Sequence, residues 1–228
     1  MDAASGPDAV TGVIFDFHGT LVDAHDPAAW VDAARRFLAE RGLPVPDAAH
    51  DAGLAQHLHE IWTHADTVDP ASTRDLSRER HREVFAQAVE LHLGSDSGMV
   101  EALYAVMPQQ WVPFTDAVPV LNALRERGVR LVLLSNIGVD IRPQLATTGL
   151  AELLDDVVLS YEVGMVKPDP GIFRSALERL GRPAAQTLMV GDSASADIGG
   201  AALGIRTLIL PRTARRVRGL DAVLRLVG

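Results

Sequence analysis

The chain has 228 residues, of which 47% are hydrophobic and 22% charged, and this balance excludes a disordered polar protein. Lys and Arg number 21 against 30 Asp and Glu, so the net charge of −9 disfavours a protein that binds nucleic acid. The absence of cysteine excludes disulfide scaffolds, thiolate zinc sites and cysteine nucleophiles, and fits the cytoplasmic location that we expect. No stretch approaches the roughly 20 apolar residues of a membrane helix, so we expect no membrane partner.

Short apolar runs alternate with helical patterns along most of the chain. The first run, residues 12–16, is typical of a buried strand that leads into a turn at Gly19. Later runs of similar length are rich in Val, Ile or Leu and lie at residues 129–135, 156–160, 188–191 and 207–210. Between the runs, residues 116–127 and 170–180 have apolar side chains at helical spacing. The alternation predicts an α/β fold with a doubly wound, parallel, Rossmann-like sheet.

Residues 22–115 interrupt this alternation, because they contain no convincing strand. Helical patterns fill the segment instead, at residues 27–41, 48–64, 76–93 and 100–111. We therefore predict an α/β core domain of residues 1–21 and 116–228. An all-helical cap domain of residues 22–115 is inserted after the first strand, where it is well placed to cover a site at the end of that strand.

Four polar motifs stand in chain order, each after a predicted strand. They are Asp16-Phe17-His18-Gly19-Thr20-Leu21, Ser135-Asn136, Lys167-Pro168-Asp169-Pro170, and Gly191-Asp192-Ser193 with Asp197 beyond it. Ligands of parallel α/β sheets bind at the carboxyl ends of the strands, so we expect the four motifs to converge on one pocket. Three carboxylates, one ammonium and one hydroxyl would meet there.

Clustered carboxylates repel one another unless cations join them. Lys167 supplies one positive charge. Mg²⁺ suits the remainder, because it takes oxygen ligands and often bridges to phosphate. A phosphoryl group held by Lys167, Ser135 and nearby backbone N–H groups would complete the charge balance. The carboxylate at the end of the first strand would then attack phosphorus and form an acyl phosphate.

The four motifs together resemble those of the haloacid dehalogenase (HAD) superfamily, in the branch with a helical cap inserted after the first motif. The resemblance extends from about Val13 to Leu210. It implies a magnesium-dependent phosphohydrolase that acts on a small phosphorylated metabolite through an aspartyl-phosphate on Asp16.

The resemblance also implies roles for the other motif residues. The magnesium ligands would be Asp16, the backbone carbonyl of His18 and Asp192, while Asp197 would support that site or orient Lys167. Ser135 and Lys167 would hold the phosphoryl group. The substrate-binding residues that follow from this comparison are Gly19, Thr20, Ser135, Asn136 and Lys167.

The chain departs from the family pattern at His18. Most phosphatases of the family have an Asp there, which protonates the leaving group and then activates water. Because imidazole has an ordinary pKa of about 6.5, we hypothesise that His18 is the general acid and base. Two alternatives stay open: a catalytically weak, phosphate-binding regulatory relative, and a metal-independent 2-haloacid dehalogenase.

Outside the four motifs the sequence predicts no further site. The helical segment contains histidines with no i, i+4 pair, which we expect to be solvated: His50, His57, His59, His64, His81 and His92. The C-terminal arginines are predicted to lie on a solvated face: Arg212, Arg215, Arg216 and Arg218. The sequence leaves open the identity of the metabolite, the choice between hydrolysis and phosphoryl transfer to an acceptor other than water, and the oligomeric state.

Overall fold

The computed structural model describes residues 9–24, 26–48, 51–93, 97–213 and 215–227, with only the backbone for residues 92, 93 and 97. The chain divides into two compact units. The α/β unit comprises Met1–Asp23, Pro113–Asn136 and Asp140–Gly228, and the helical unit comprises Ala24–Val112 and Ile137–Val139. That the helical unit acts as a cap stays a prediction. No helix within the described ranges has the length and apolar character needed to cross a bilayer.

Five helices make up most of the helical unit: α1 (Pro27–Glu40), α2 (Asp51–His59), α3 (Ile61–Val68), α4 (Arg78–Leu93) and α5 (Ser97–Val106). Helix α1 begins where the Asp26 side chain accepts a hydrogen bond from the Ala29 N–H, with Pro27 at the first helical position. Its apolar face packs on α2 and α5, and Trp30 Nε1 donates to the Leu103 carbonyl at 2.9 Å. The unit therefore has its own buried core.

Two of the predicted helices are divided in the structure. The helix predicted over residues 48–64 is two helices, α2 and α3, which meet at Glu60. The helix predicted over 100–111 begins earlier, as α5, and continues only as a 3-10 turn over Met107–Gln110. Pro108 explains this ending, because it has no N–H to donate to a continuing α-helix.

The expectation of solvated histidines is wrong at His81. This side chain is 2% exposed, and its Nδ1 lies 3.0 Å from the Tyr104 hydroxyl. Burial, assisted by the charge of Arg74, lowers the pKa of His81 to about 4. His57 and His64 are partly buried and stack with ring centroids 4.1 Å apart. His50 and the His92 side chain lie outside the described residues.

The described part of the α/β unit contains β1 (Gly12–Phe15), β2 (Val22–Asp23), β4 (Arg130–Ser135), β5 (Asp156–Leu159), β6 (Thr187–Gly191) and β7 (Arg206–Ile209), while β3 (Val112–Pro113) lies at its border. Five of these strands form a parallel sheet in the order β5-β4-β1-β6-β7. The predicted parallel α/β sheet is therefore confirmed. Each of its strands begins and ends within one or two residues of the predicted run.

The prediction that residues 22–115 contain no strand is wrong at both ends of that segment. Strands β2 and β3 pair with each other as a separate two-stranded sheet, near the points where the chain leaves and re-enters the α/β unit. Each strand has only two residues, so no alternation of apolar and polar side chains exists to reveal it.

The helices of the α/β unit are α6 (Ala117–Glu126), α7 (Arg142–Thr147), α8 (Ser160–Val163), α9 (Pro170–Leu180), α10 (Ala194–Asp197) and α11 (Asp221–Leu226). Helix α6 precedes β4 on one side of β1, and α9 leads from β5 back across to β6 on the other side. Because such crossovers are right-handed, α6 and α9 cover opposite faces of the sheet. The sheet is therefore doubly wound, as predicted.

Helix α9 packs against the sheet through a buried apolar face. Asp169 caps it by accepting a hydrogen bond from the Gly171 N–H at 2.6 Å, as its sequence position predicts. Its buried side chains join those of four strands in one apolar cluster that contains Ile14, Val132, Leu134, Val158, Ile172, Phe173, Ala176, Leu180, Met189 and Ile205. The cluster fixes the helix against the sheet below the carboxyl ends of the strands.

Phe173 connects this core to the segment after α10. The ring is fully buried, and a methyl group placed on Gly199 would lie 2.8 Å from it. We expect Phe173→Ala to lower the free energy of unfolding by about 3–5 kcal/mol, through lost apolar burial and the cavity left behind. Urea unfolding measures this loss. Leu226→Ala, at a side chain that is 48% exposed, is the control and should cost less than about 0.5 kcal/mol. Equal losses in the two variants would contradict the packing described.

Candidate active site

The candidate site lies where the order of strands reverses direction. Strands β4 and β5 lie on one side of β1, and β6 and β7 on the other, so the carboxyl end of β1 is the switch point of the sheet. Asp16 directly follows β1, Ser135 ends β4, and Asp192 directly follows β6. The structure therefore brings three of the four motifs to the edge at which α/β sheets bind ligands.

Asp16 is held at this edge by groups on every side. Its backbone N–H donates to the Val190 carbonyl at 2.9 Å, which continues the pairing of β1 with β6. Its Oδ2 accepts from the Thr20 hydroxyl at 2.9 Å, and its Oδ1 accepts from Lys167 Nζ at 2.7 Å. The carboxylate is thus oriented by the turn that follows it and by the third motif.

Lys167 bridges two carboxylates. Its Nζ lies 2.7 Å from Asp16 Oδ1 and 2.7 Å from Asp197 Oδ1, and its side chain is only 3% exposed. Burial alone would lower the pKa of Lys167, but the two carboxylates outweigh burial and raise this pKa above its ordinary value. The ammonium therefore stays charged throughout the physiological pH range.

Asn136 fixes the backbone of Lys167. Its Oδ1 accepts from the Lys167 N–H at 2.7 Å, and its Nδ2 donates to the Lys167 carbonyl at 3.0 Å. The side chain of Asn136 is therefore engaged in positioning the lysine, while the preceding Ser135 is buried at the end of β4. The pattern of the sequence does not reveal this positioning contact, because the two residues are 31 positions apart.

Three carboxylates come together around the end of β1. Asp16, Asp192 and Asp197 each offer an oxygen, and these oxygens lie within 4.8 Å of one another. Asp197 is fully buried, accepts from Lys167 Nζ through Oδ1 and accepts from the Ser193 N–H at 2.9 Å through Oδ2. Burial raises the pKa of Asp197, and the ammonium of Lys167 opposes this shift.

Two glycines make the close approach of these acids possible. A Cβ on Gly191 would lie 2.0 Å from Asp197 Oδ2, so no other residue fits there without displacing that carboxylate. Gly19 has a φ of +80°, and its Cβ would lie 2.7 Å from Asp192 Oδ2. The turn after β1 can therefore contact Asp192 because residue 19 of the turn is a glycine and has no side chain.

His18 lies on the turn between Asp16 and Gly19. Its side chain is partly buried, and its Nε2 is 3.4 Å from Asp23 Oδ1. Burial lowers the pKa of His18, the charge of Asp23 opposes this most strongly, and the charge of Arg212 adds to the lowering. The surroundings of His18 therefore favour the neutral imidazole over the protonated form.

Arg218 contradicts the expectation of a solvated arginine face. It is 5% exposed, and its guanidinium donates to the Gly19 carbonyl at 2.6 Å and to the carbonyls of Leu210 and Pro211. Asp116 accepts from the Arg218 N–H at 2.8 Å and from the next two backbone N–H groups. This arginine therefore ties the turn after β1 to the segment after β7.

Arg212 is the second residue that the sequence does not reveal as part of the site. Its Nε donates to Asp192 Oδ2, although its side chain is 66% exposed. Arg212 and Arg218 lie in the same arginine-rich segment as the exposed Arg215 and Arg216. Their partners are remote in sequence, so only the folded chain distinguishes them.

The donor set suits a hard divalent cation. Three acids against Lys167 and Arg212 leave one negative charge, and carboxylate oxygens are the ligands that Mg²⁺ prefers. Asp16 and Asp197 each accept hydrogen bonds through both oxygens, but Asp16 and Asp192 keep some exposure to solvent whereas Asp197 has none. Asp16 and Asp192 are therefore the carboxylates best able to reach such an ion. The residues present therefore fit a magnesium site.

A family model described as haloacid dehalogenase-like hydrolase matches residues 10–204. The chain belongs to this family of hydrolases. The matched range begins before Asp16 and extends beyond Asp197, so it includes all four motifs.

Several known proteins resemble this HAD-like hydrolase. A glyceraldehyde 3-phosphate phosphatase of Methanopyrus kandleri is 38% identical over 199 residues, which cover 84% of this chain and 79% of the relative. A ribulose-1,5-bisphosphate 5-phosphatase of Halopiger xanaduensis is 34% identical over 132 residues, which cover 55% of each chain. The chain thus spans about half the length of some curated relatives that it matches.

Solved structures share the fold. A HAD phosphatase of Thermococcus onnurineus has a TM-score of 0.63 and 24% identity, and the alignment covers 96% of this chain and 98% of the other. A 2-haloacid dehalogenase of Pseudomonas syringae has a TM-score of 0.58 and 25% identity, with 95% and 99% covered. Both phosphatases and dehalogenases therefore have this architecture.

Replacing Arg218 should damage stability, because the substitution leaves three carbonyl groups without their donor. We expect Arg218→Ala to lower the free energy of unfolding by about 3 kcal/mol. Arg218→Lys should recover only part of this, since an ammonium lacks the planar fork of the guanidinium. Urea unfolding is the measurement, and Arg216→Ala, at an exposed arginine, should change the value by less than about 0.5 kcal/mol. A similar effect in the two alanine variants would be incompatible with the contacts of Arg218.

Proposed function

We propose that this HAD-like hydrolase is a magnesium-dependent phosphohydrolase that acts on a small phosphorylated metabolite. The observation that carries the proposal is the cluster of Asp16, Asp192 and Asp197 around Lys167 at the switch point of the sheet. The relatives named as phosphatases of glyceraldehyde 3-phosphate and ribulose 1,5-bisphosphate support the substrate class. A cytoplasmic location stays a prediction.

In the proposed reaction Asp16 is the nucleophile. A carboxylate oxygen of Asp16 attacks phosphorus, the bond from phosphorus to the ester oxygen breaks, and the departing alkoxide takes a proton from a general acid. Water then attacks the aspartyl-phosphate, loses a proton to the same group acting as base, and releases inorganic phosphate with the Asp16 carboxylate restored. Atoms and protons balance over the two steps, and the sum is hydrolysis of a phosphate ester.

The remaining residues would position and neutralise the phosphoryl group. Lys167 is fixed by two carboxylates and by Asn136, so its ammonium needs no reorganisation to stabilise charge on the phosphoryl oxygens. Ser135 and the backbone near Gly19 would donate further hydrogen bonds. Asp16, Asp192 and the His18 carbonyl would hold Mg²⁺, with Asp197 in support. When bound, this ion supplies Lewis-acid stabilisation of the developing negative charge.

His18 is proposed as the general acid and base, because it lies two residues after Asp16 on the turn next to the nucleophile. Burial lowers the pKa of His18, and the carboxylate of Asp23, 3.4 Å from Nε2, opposes this lowering and so helps to retain the protonated imidazole that the first step needs. Loss of the proton to the leaving group would then produce the neutral imidazole that the second step needs.

The first test measures release of inorganic phosphate from a panel of small phosphate esters, with Mg²⁺ and with EDTA. We expect turnover that requires Mg²⁺ and that falls by at least about a thousandfold in Asp16→Asn, because the amide is a poor nucleophile. Asp221→Asn is the matched control, since it neutralises a carboxylate that is 63% exposed and lies on α11. Trapping of the intermediate should place the phosphate on Asp16.

Two further measurements would support the alternatives instead. Halide release from a 2-haloacid that persists in EDTA would indicate a dehalogenase, which shares the fold and the aspartate nucleophile. Magnesium-dependent binding of phosphate without hydrolysis of even an activated aryl phosphate would indicate a regulatory relative.

The second test asks whether His18 donates a proton to the leaving group. The rate of the first, leaving-group-releasing phase is measured for an alkyl phosphate and for a nitrophenyl phosphate, whose leaving group needs no proton. We expect His18→Ala to slow this phase about 10²–10⁴-fold for the alkyl ester and less than about tenfold for the aryl ester.

His18→Asp is the rescue variant for this test, because a carboxylic acid at the same position offers a proton to the same atom. It should restore much of the alkyl-ester rate. Equal slowing of both esters by His18→Ala would instead assign His18 a positioning role.

A further inference from the structure

Asp192 and Arg212 form an unusual pair at the rim of the carboxylate cluster. The Asp192 side chain is 5% exposed, and its Oδ2 accepts from the Nε of Arg212, whose side chain is 66% exposed. Asp192 also lies against Gly19, at a distance that leaves no room for a Cβ. A carboxylate that is nearly removed from water is thus neutralised by a cation that remains largely in water.

Lys167 and Arg212 neutralise the cluster in different ways. Lys167 is buried, bonds to two carboxylates and is fixed by Asn136, so its removal would disrupt the site. Among the described residues, Asp192 is the hydrogen-bond partner of the Arg212 side chain. The guanidinium of Arg212 is largely in water, so it can leave Asp192 without being moved out of a buried position, whereas the ammonium of Lys167 cannot. Arg212 is therefore the counter-ion of the cluster that is able to leave.

The backbone just before Arg212 is held, while the Arg212 side chain is largely exposed. Arg218 donates to the carbonyl of Pro211, the residue directly before Arg212, and to that of Leu210. Release of Asp192 thus requires rotation of one exposed side chain and no movement of the segment that carries it. The geometry suits a cation that moves on and off the carboxylate.

We propose that Arg212 is an internal counter-ion that neutralises Asp192 in the metal-free protein and competes with Mg²⁺ for this carboxylate. The inference rests on the proposed function, because it takes the cluster as the magnesium site. Mg²⁺ takes carboxylate oxygens as ligands, and Arg212 occupies Oδ2 of Asp192, so an ion that binds through this oxygen displaces the guanidinium. Arg212 therefore weakens magnesium binding, and it keeps the acids compatible with one another when the ion is absent.

The test compares Arg212→Gln with Arg215→Gln in the full chain. Both variants remove one positive charge from the same segment, but Arg215 is exposed, and the contact described for it is a bond from its backbone N–H to Thr213. Calorimetric titration with Mg²⁺ should give a Kd about tenfold lower for Arg212→Gln than for the wild type. Arg215→Gln should change the Kd less than about twofold, because salt screens a distant exposed charge.

Thermal unfolding gives a second readout that does not depend on catalysis. In EDTA, Arg212→Gln should unfold at a lower Tm than the wild type, since Asp192 is then buried beside two other acids without its counter-ion. In saturating Mg²⁺ this difference should disappear, because the ion replaces the lost charge. Arg215→Gln should match the wild type under both conditions.

The controls separate failure of this inference from failure of the proposed function. Asp192→Asn should abolish the magnesium titration signal. If it does so while Arg212→Gln binds Mg²⁺ no more tightly than the wild type, the inference is overturned and the magnesium site stands. If neither the wild type nor Arg212→Gln binds Mg²⁺ at millimolar concentration, the inference and the proposed metal dependence are both wrong.

Discussion

Mutual repulsion among three acids is the constraint on which the rest of the site depends. The oxygens of Asp16, Asp192 and Asp197 lie within 4.8 Å of one another in surroundings that largely exclude water. Little solvent is available to screen them, so each needs a cation or a hydrogen-bond donor from the protein. Lys167 serves two of the acids and Arg212 the third, and one negative charge is left over. That remaining charge is the physical reason why the site should attract a divalent cation.

The sheet order explains how acids so distant in sequence come together. The first strand is central, the chain adds two strands on one side and then two on the other, and the loops after β1, β4 and β6 therefore share one edge. Close approach also needs small residues. Gly191 gives room to Asp197, and Gly19 adopts a positive φ and gives room to Asp192. The three carboxylates can therefore lie close together only because glycines stand beside two of them.

Local sequence signals predict the strands and helices whose formation depends on neighbouring residues. They do not predict the burial of side chains whose partners are distant in sequence. The capped and amphipathic helix α9 and the apolar strands around Asp16 are correctly predicted, because capping residues and apolar spacing are encoded within each segment. The two-residue strands β2 and β3 are too short to show alternation. His81 and Arg218 were expected in solvent, yet both are buried, because Tyr104 and three backbone carbonyls satisfy their polar atoms across long sequence separations. No pattern within one segment contains that information.

The segment after β7 shows how one residue type serves two purposes within seven positions. Arg218 is buried and bonds to neutral carbonyls, so its contacts resemble those of a core group and are lost only at a large cost in stability. Arg212 is exposed and bonds to a carboxylate that is also a proposed ligand of the metal ion. Its guanidinium can therefore be replaced by the ion while remaining in water. The permanent contact of Arg218 holds the segment in place, and this makes the exchange at Arg212 a side-chain event. Burial, rather than residue type or net charge, decides which arginine is structural and which responds to the contents of the site.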